Sequence, residues 1–287
     1  MSSKIVNSKP VAILLATYNG GKYIRNQIDS IVNQTFREWT LYIQDDGSSD
    51  DTVAIIREYG EKYASIIPID RGFTRMGPQI NFMSLLSIVE SEYYLFCDQD
   101  DMWLPDKIEL SLAEMQRVEA VNPGLPVLVH TDYQVVDEQL QVLIPSYWNP
   151  RRISPEKLEH KIKSLVTPGI LAIYSIAAGC TMMFNRGVKE ISFPFSTIRM
   201  HDSWIAMQTA EQGIISQVFQ PTMLYRQHAS NTCKLSLDNS LWLKLRNIVS
   251  VYRSNMKGYH IWKVLGKGSF FKFLYYRIKY FLILRLQ

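Results

Sequence analysis

Tyr93-Tyr94-Leu95-Phe96-Cys97-Asp98-Gln99-Asp100-Asp101-Met102-Trp103 is a run of five apolar or aromatic residues that ends abruptly in three carboxylates. Such a run fits a strand covered on both faces, and the acids then fall at its carboxyl end, where open α/β sheets place their ligands. Carboxylates this close raise one another's pKa unless a cation sits between them, and hard oxygen donors favour magnesium, manganese or calcium over zinc. The plainer alternative is a helix N-terminus, with Asp100 or Asp101 capping a helix that opens at Pro105 and Asp106. One acid suffices for a cap, so three argue for a ligand.

Upstream, Val11-Ala12-Ile13-Leu14-Leu15-Ala16 is another continuous apolar run and reads as a central parallel strand, followed by a turn at Asn19-Gly20-Gly21. Ile24, Ile28, Ile31 and Val32 recur at helical spacing. A second strand over Thr40 to Gln44 runs into Asp45-Asp46-Gly47-Ser48-Ser49-Asp50-Asp51, where Ser49 or Asp50 can cap a helix carrying Val53, Ile56 and Tyr59. Ile66 to Ile69 gives a third strand and Asn81 to Val89 a third helix. Strand, helix, strand, helix predicts a doubly wound sheet, and the first hundred residues read as a nucleotide-binding half.

The chain has 287 residues, 47% hydrophobic and 20% charged, which is the composition of a globular protein rather than a disordered or fibrous one. Cys97, Cys180 and Cys233 form no CxxC pair, which points to a reducing compartment and away from a zinc site. No secretory signal is visible, so a cytoplasmic location is expected. Charge divides unevenly: residues 239–287 hold ten Lys or Arg and no acid, whereas the first 238 hold 21 basic and 27 acidic residues, a net −6. An acidic body with a basic, aromatic tail predicts an anionic partner for the tail, a membrane surface or a nucleic acid.

Ala16-Thr17-Tyr18-Asn19-Gly20, Gln44-Asp45-Asp46-Gly47-Ser48-Ser49-Asp50 and Asp98-Gln99-Asp100-Asp101 closely resemble, in order and spacing, the three successive motifs of family 2 glycosyltransferases with the GT-A fold. Further stretches, Gly179-Cys180-Thr181-Met182-Met183-Phe184-Asn185-Arg186, Met200-His201-Asp202-Ser203-Trp204 and Leu224-Tyr225-Arg226-Gln227-His228, look like the bacterial branch that includes rhamnosyltransferases of surface-polysaccharide assembly. The similarity runs from about Pro10 to Asn231. It implies an α/β fold with a mixed, mostly parallel sheet flanked by helices, in a catalytic domain over 1–238 with a nucleotide half at about 10–100 and an acceptor half at 101–238. The basic helical extension, 239–287, follows.

The resemblance also implies roles. Ala16, Thr17, Tyr18, Asn19, Asp46, Asn81 and Asp98 would hold the nucleotide sugar, Asp46 by accepting from the base imide N–H and Asp98 by binding the ribose hydroxyl. A carboxylate suits the imide because it only accepts. Asp45 reads as a solvated acidic turn. Asp100 and His228 would hold a divalent Mn2+ or Mg2+ bridging the diphosphate, with a direct diphosphate contact as the other role for His228. Asp202 would be the catalytic base, a role compatible with capping the helix Ser203 to Gln212. Asp101, Gly179, Cys180, His201, Trp204 and Arg226 fall to the acceptor side or to support; His201 is equally a packing residue at a helix start. Two departures from the family pattern stand out: Arg75 where asparagine is usual, and Ser203 where an aromatic follows the His-Asp pair.

These expectations describe a metal-dependent inverting glycosyltransferase that moves a sugar, L-rhamnose from dTDP-L-rhamnose or a sugar from a UDP donor, to a lipid-linked saccharide. A sugar nucleotidyltransferase should carry a basic, glycine-rich phosphate loop, and Thr17 to Lys22 is a poor one; an inactive glycan-binding relative should lack some of Asp98, Asp100 and Asp202. Ser164 to Asn185 is uncharged but interrupted by Pro168-Gly169 and Gly179, so it reads as buried helix and strand rather than a bilayer span. In the tail, Leu241, Leu245, Ile248, Val249, Tyr252, Met256 and Tyr259 share a helical face, and Phe270 to Leu286 is apolar with spaced cations. Both suit the headgroup layer at the inner face of a membrane, the first helix equally suits packing on the catalytic domain, and a lipid-linked acceptor favours a membrane over nucleic acid.

Overall fold

The computed structural model describes residues 4–72, 75–149, 154–229, 231, 256 and 258–285. In chain order its elements are β1 (Ile5–Val6), β2 (Val11–Thr17), α1 (Ile24–Val32), β3 (Trp39–Asp45), α2 (Thr52–Lys62), β4 (Ile66–Ile69), α3 (Pro78–Ile88), β5 (Val89–Glu90), β6 (Tyr93–Asp98) and β7 (Met102–Trp103). There follow α4 (Lys107–Val121), β8 (Val127–Val136), β9 (Val142–Ile144), α5 (Pro155–Leu165), α6 (Pro168–Leu171), a 3-10 turn (Gly179–Thr181), β10 (Met182–Asn185), α7 (Arg186–Ile191), α8 (His201–Gln212), β11 (Ile214–Arg226) and α9 (Phe270–Arg285).

The main sheet runs β4-β3-β2-β6-β10-β8-β11-β7, with β9 paired to β8. Strands β4, β3, β2 and β6 are parallel, β10 enters antiparallel between β6 and β8, and β11 is parallel to β8. The unbroken apolar runs are explained by helices on both faces. Along β2 and β6, Val11, Ile13, Leu15, Leu95 and Cys97 pack with Ile28 of α1, Ile55 of α2 and Met115 of α4. The alternate residues Ala12, Leu14, Tyr94 and Phe96 pack with Phe82 and Leu86 of α3 and Ile205 of α8. Full burial of each Leu or Ile here contributes about 1.5–3 kcal/mol.

Several local expectations shift. Helix α3 begins at Pro78 and α8 at His201, one turn or less ahead of the sequence estimate. Neither Asp100 nor Asp101 caps a helix, because α4 starts at Lys107 behind Asp106. Between them lies β7, which pairs antiparallel with Met223 and Leu224 of β11. The uncharged Ser164–Asn185 stretch divides into the end of α5, α6, the 3-10 turn and β10; no helix among the described residues is long and apolar enough to cross a membrane.

The tail helix expected over Leu241 to Tyr259 lies mostly outside the described residues, of which Met256 and Tyr259 are part. The chain beyond it returns to the body: Trp262 and Phe273 are fully buried in the core that α3 and α8 share. Ile283 joins Leu158 and Ile162 of α5 and Ile170 of α6 in a smaller satellite core.

Candidate active site

The carboxyl ends of β2, β3 and β6 form one rim, because Ala16 pairs with both Gln44 and Asp98 in register. Asp45 organises the turn after β3 instead of standing in solvent: it accepts from Thr17 Oγ1 at 2.8 Å, from Gly47 N at 2.9 Å and from Ser48 N at 2.7 Å. Asn19, with φ of 48°, donates its N–H to Ser48 Oγ at 2.7 Å and accepts from Ser49 N at 2.8 Å. That left-handed conformation is one asparagine tolerates well.

Asp46 is buried and accepts from the N–H groups of Met76 and Gly77 at 2.8 and 2.7 Å, while its carbonyl accepts from Arg75 N. The carboxylate thus shapes the 75–77 turn before any ligand arrives. Arg75 has φ of 56°, which accounts physically for the usual asparagine at this place. Asn81 is buried beside it, donating to Gln44 O at 3.1 Å with its Oδ1 unpartnered.

Gln99 was not singled out from sequence, yet it ties the loop after β6 to the loop after β2. Its Oε1 accepts from Tyr18 N at 2.9 Å and its Nε2 donates to Tyr18 O at 3.0 Å. The side chain lies so close over Gly20 that a Cβ there would stand 2.2 Å from Gln99 Oε1. The first-loop glycine is therefore required by the carboxamide that clamps Tyr18, whose ring stays exposed.

Beyond β6 the acids separate by environment. Asp100 reaches His228, with Oδ2 and Nε2 2.8 Å apart. Asp101 turns inward and is buried, its Oδ1 accepting from Arg226 N at 3.1 Å while Oδ2 has no hydrogen-bond partner. One carboxylate oxygen each of Asp98 and Asp101 and the Cys180 sulfur lie within 4.8 Å of one another. Burial, then the charges of Asp100 and Asp202, push the Asp98 carboxyl up to about 7. Burial, then the charges of Asp100 and Asp98, hold Asp101 well above the carboxylate range, and burial with the charges of Asp101 and Asp98 holds the Cys180 thiol well above its own. Lys107, fully buried beneath them and missed from sequence, is pushed down to about 8 by desolvation.

Asp202 lies in the first turn of α8, whose N-cap is Met200, so the capping role expected for it does not hold. Its Oδ1 accepts from Ser203 N at 2.5 Å and its Oδ2 from Gly179 N at 3.3 Å, which leaves the carboxylate half-exposed. A Cβ on Gly179 would come within 3.0 Å of His201 Nε2, so the glycine lets the turn approach α8. His201 and Trp204, expected near the acceptor, are core residues. His201 stacks on Phe82 at 4.4 Å and meets Phe96 edge-on at 5.0 Å, and burial lowers its pKa. Trp204 is buried and donates its indole N–H to Ser192 O at 2.9 Å. Ser203 is buried as well.

Arg226 is buried with its guanidinium 4.8 Å from the centre of the Tyr23 ring and two of its nitrogens unpartnered. Tyr23 in turn lies 4.6 Å from the His228 ring and donates to Glu138 at 2.5 Å. Tyr23 and Glu138 were missed, as was Arg199, which feels the charge of Asp202 and donates to Ala172 O at 2.5 Å. Only the position of Arg199 three residues ahead of Asp202 could have drawn notice.

The acids fit a hard divalent cation. Burial and the charges of Asp100 and Asp202 raise the Asp98 carboxyl, a cost a cation would offset, and Asp101 Oδ2 is buried without a hydrogen-bond partner. Two adjacent donors about 2.1 Å from one octahedral ion stand about 3 Å apart, which matches the Asp100–His228 contact of 2.8 Å.

Residues 12–188 match the family described as Glycosyl transferase family 2. Among curated relatives, an uncharacterized glycosyltransferase of Rickettsia typhi is 28% identical over 60% of this chain and 49% of its own length. The dTDP-rhamnosyl transferase RfbG of Shigella flexneri is 28% identical over 76% of this chain and 72% of its own. The chain spans 49% and 63% of the length of the Rickettsia typhi and Rickettsia prowazekii relatives. Among solved structures, S. aureus TarS in complex with UDP-GlcNAc superposes with a TM-score of 0.56 at 18% identity, over 79% of this chain and 62% of that one. The mannosyltransferase PcManGT from Pyrobaculum calidifontis, in complex with GDP-Man and Mn2+, gives 0.55 at 16% identity over 88% and 64%. Both show the shared GT-A fold. Since the family match covers more than half of the chain, the protein belongs to glycosyl transferase family 2.

Proposed function

We propose that the protein is a divalent-metal-dependent, inverting glycosyltransferase that passes a sugar from a dTDP- or UDP-linked donor to a hydroxyl of a lipid-linked saccharide in cell-surface polysaccharide synthesis. The relation to RfbG favours L-rhamnose from dTDP-L-rhamnose. The observation that carries the reading is the convergence of Asp98, Asp100 and Asp202 with His228, from the ends of β6 and β11 and the start of α8. The catalytic domain is then 1–238, and 239–287 is its membrane-facing part, working at the cytoplasmic face.

In this scheme the base lies against Tyr18 and the 75–77 turn, and Asp46 offers its remaining lone pairs to the imide N–H. Asp98 binds the ribose hydroxyl, and Asn81, Asn19, Thr17 and Ala16 shape the pocket. Asp100 and His228 would hold Mn2+ or Mg2+, which supplies charge neutralisation to the leaving diphosphate. Asp202 takes the proton of the acceptor hydroxyl as its oxygen bonds to the anomeric carbon; the bond from that carbon to the diphosphate breaks, and its electron pair leaves with the nucleotide. Arg226 supports the site from beneath Tyr23, and Asp101, Cys180 and Lys107 lie behind it. Incubation with dTDP-L-rhamnose and UDP-sugars tests the class: manganese-dependent release of nucleoside diphosphate is expected from at least one, and release from none would favour an inactive glycan-binding relative.

Two expected results arise from the rim. Gly20→Ala should push the Gln99 carboxamide off Tyr18 and, like Gln99→Ala, raise the donor KM by up to roughly thirtyfold through the loss of two hydrogen bonds at about 1 kcal/mol each. Unchanged donor KM in both variants would remove Gln99 from donor positioning.

The second concerns pH. A carboxyl whose folded pKa is raised to about 7 binds more protons folded than unfolded at intermediate pH, so its contribution to stability is full below about 4 and is lost as pH rises through about 7. A cation that binds the ionised form should reverse this. The rise in Tm on adding manganese should therefore be larger at pH 8 than at pH 5.5, and equal increments would show that Asp98 is not coupled to metal binding.

A further inference from the structure

Helix α9 carries two apolar faces. The inner one, with Phe273 and Ile283 buried and Tyr280 stacked on Tyr174 at 3.7 Å, fastens the helix to the body. On the outer one Phe271, Leu274, Tyr275, Ile278, Phe281 and Leu282 stand in solvent, with Phe271 80%, Leu282 58% and Ile278 51% exposed. At 100° per residue these six share one side of a helix about 24 Å long. A contiguous apolar patch of this kind on a protein surface marks a contact.

What it contacts is indicated by charge. Lys272 and Lys279 flank the stripe on one side and Arg277 on the other, and residues 239–287 contain no acid to answer them. Two copies of the chain meeting through α9 would bring these cations together, whereas an anionic lipid surface complements them. Beside the carboxyl end of α9 a cleft of about 350 Å3 is lined by Glu156, Lys157, His160, Lys161 and Ser164 of α5 and by Ile283. Lys157, His160 and Lys161 outnumber the one acid, and beside Ile283 and the apolar outer face of α9 they match the chemistry of a phospholipid, a phosphate next to hydrocarbon.

We propose that the outer face of α9 is a fixed bilayer-docking surface and that the α5–α9 cleft receives the phosphate headgroup of an anionic phospholipid at its edge. This rests on the membrane contact read above for residues 239–287 and gives it a defined face. The inner face of α9 fastens the surface to the catalytic body, so docking holds the site at a set height above the bilayer, within reach of a lipid-linked acceptor.

Cosedimentation of the full chain with vesicles, without donor or metal, tests this independently of glycosyl transfer. Wild type should bind phosphatidylcholine vesicles containing phosphatidylglycerol at least tenfold more tightly than phosphatidylcholine alone. Phe271→Asp with Ile278→Asp, both at exposed positions, should lower that binding at least tenfold with unchanged Tm and unchanged donor turnover. Lys157→Glu with His160→Glu should lower it about fivefold on the anionic vesicles, and millimolar inorganic phosphate should leave wild-type binding intact. Equal binding by the α9 variant, or a vesicle-free dimer that this variant dissociates, would overturn the docking face. Full binding by the α5 variant, or displacement by inorganic phosphate, would overturn the lipid cleft.

Discussion

Asp202→Asn is expected to bind donor as the wild type does and to transfer sugar at least about a hundredfold more slowly, the usual cost of removing a general base. The amide keeps one acceptor oxygen, enough for Gly179 N or Ser203 N but not both, and its shape is unchanged, so the turn before β10 and the start of α8 should largely keep their places. What it loses is the capacity to take a proton. Rates of product formation at saturating donor, set beside calorimetric donor affinity, separate the two effects, and near-normal transfer would refute the assignment. The other acids of the acceptor half are poor substitutes. Asp132 is wholly buried and accepts from Tyr133 N, Trp148 N and Ser146 Oγ, and Asp137 closes the β8–β9 turn by accepting from Gln139 N and Gln141 N.

Asp100→Asn should weaken manganese-dependent binding of the nucleotide sugar by roughly a hundredfold, about 2.8 kcal/mol, and leave the fold intact. The amide preserves shape and a hydrogen bond to His228 but removes the negative charge a hard cation requires. Because Asp100 is also one of the acids that raise Asp98, the variant should ease the ionisation of Asp98 and slightly stabilise the metal-free protein near neutrality. Calorimetry with and without manganese reads the first effect and thermal unfolding in chelator the second. Unchanged manganese dependence would show that Asp100 is not a ligand.

Much of this was legible because the decisive strands are covered on both faces. Residues 11–16 and 93–97 are apolar at every position, and only a central strand makes use of that. The insertion of β10 between β6 and β8 was not legible, since nothing local to Met182–Asn185 states which distant strands it joins. Strand β7 is two residues long and exists through its pairing with Met223 and Leu224.

Among site residues, the carboxylates were readable by chemical type and spacing, but type does not give direction. Asp98 and Asp100 face Asp202 and His228, while Asp101, next in sequence, turns into the core. His201 and Trp204 flank Asp202 in the chain yet point to Phe96 and Ser192, as helix geometry demands of neighbours in a first turn. Asp45 read as solvated because its partners were invisible, although Asp followed by Gly-Ser is a recognised turn pattern. Gln99, Tyr23 and Glu138 escaped notice since their contacts, to Tyr18, to the His228 ring and between Tyr23 and Glu138, all join segments far apart in the chain.

The most direct test of the central claim, that these acids hold a nucleotide diphosphate through a divalent cation, is calorimetric titration of dTDP and UDP into the wild-type protein in manganese and again in chelator. Saturable binding of at least one nucleotide that needs manganese is the predicted result. Binding of equal affinity in chelator would contradict it.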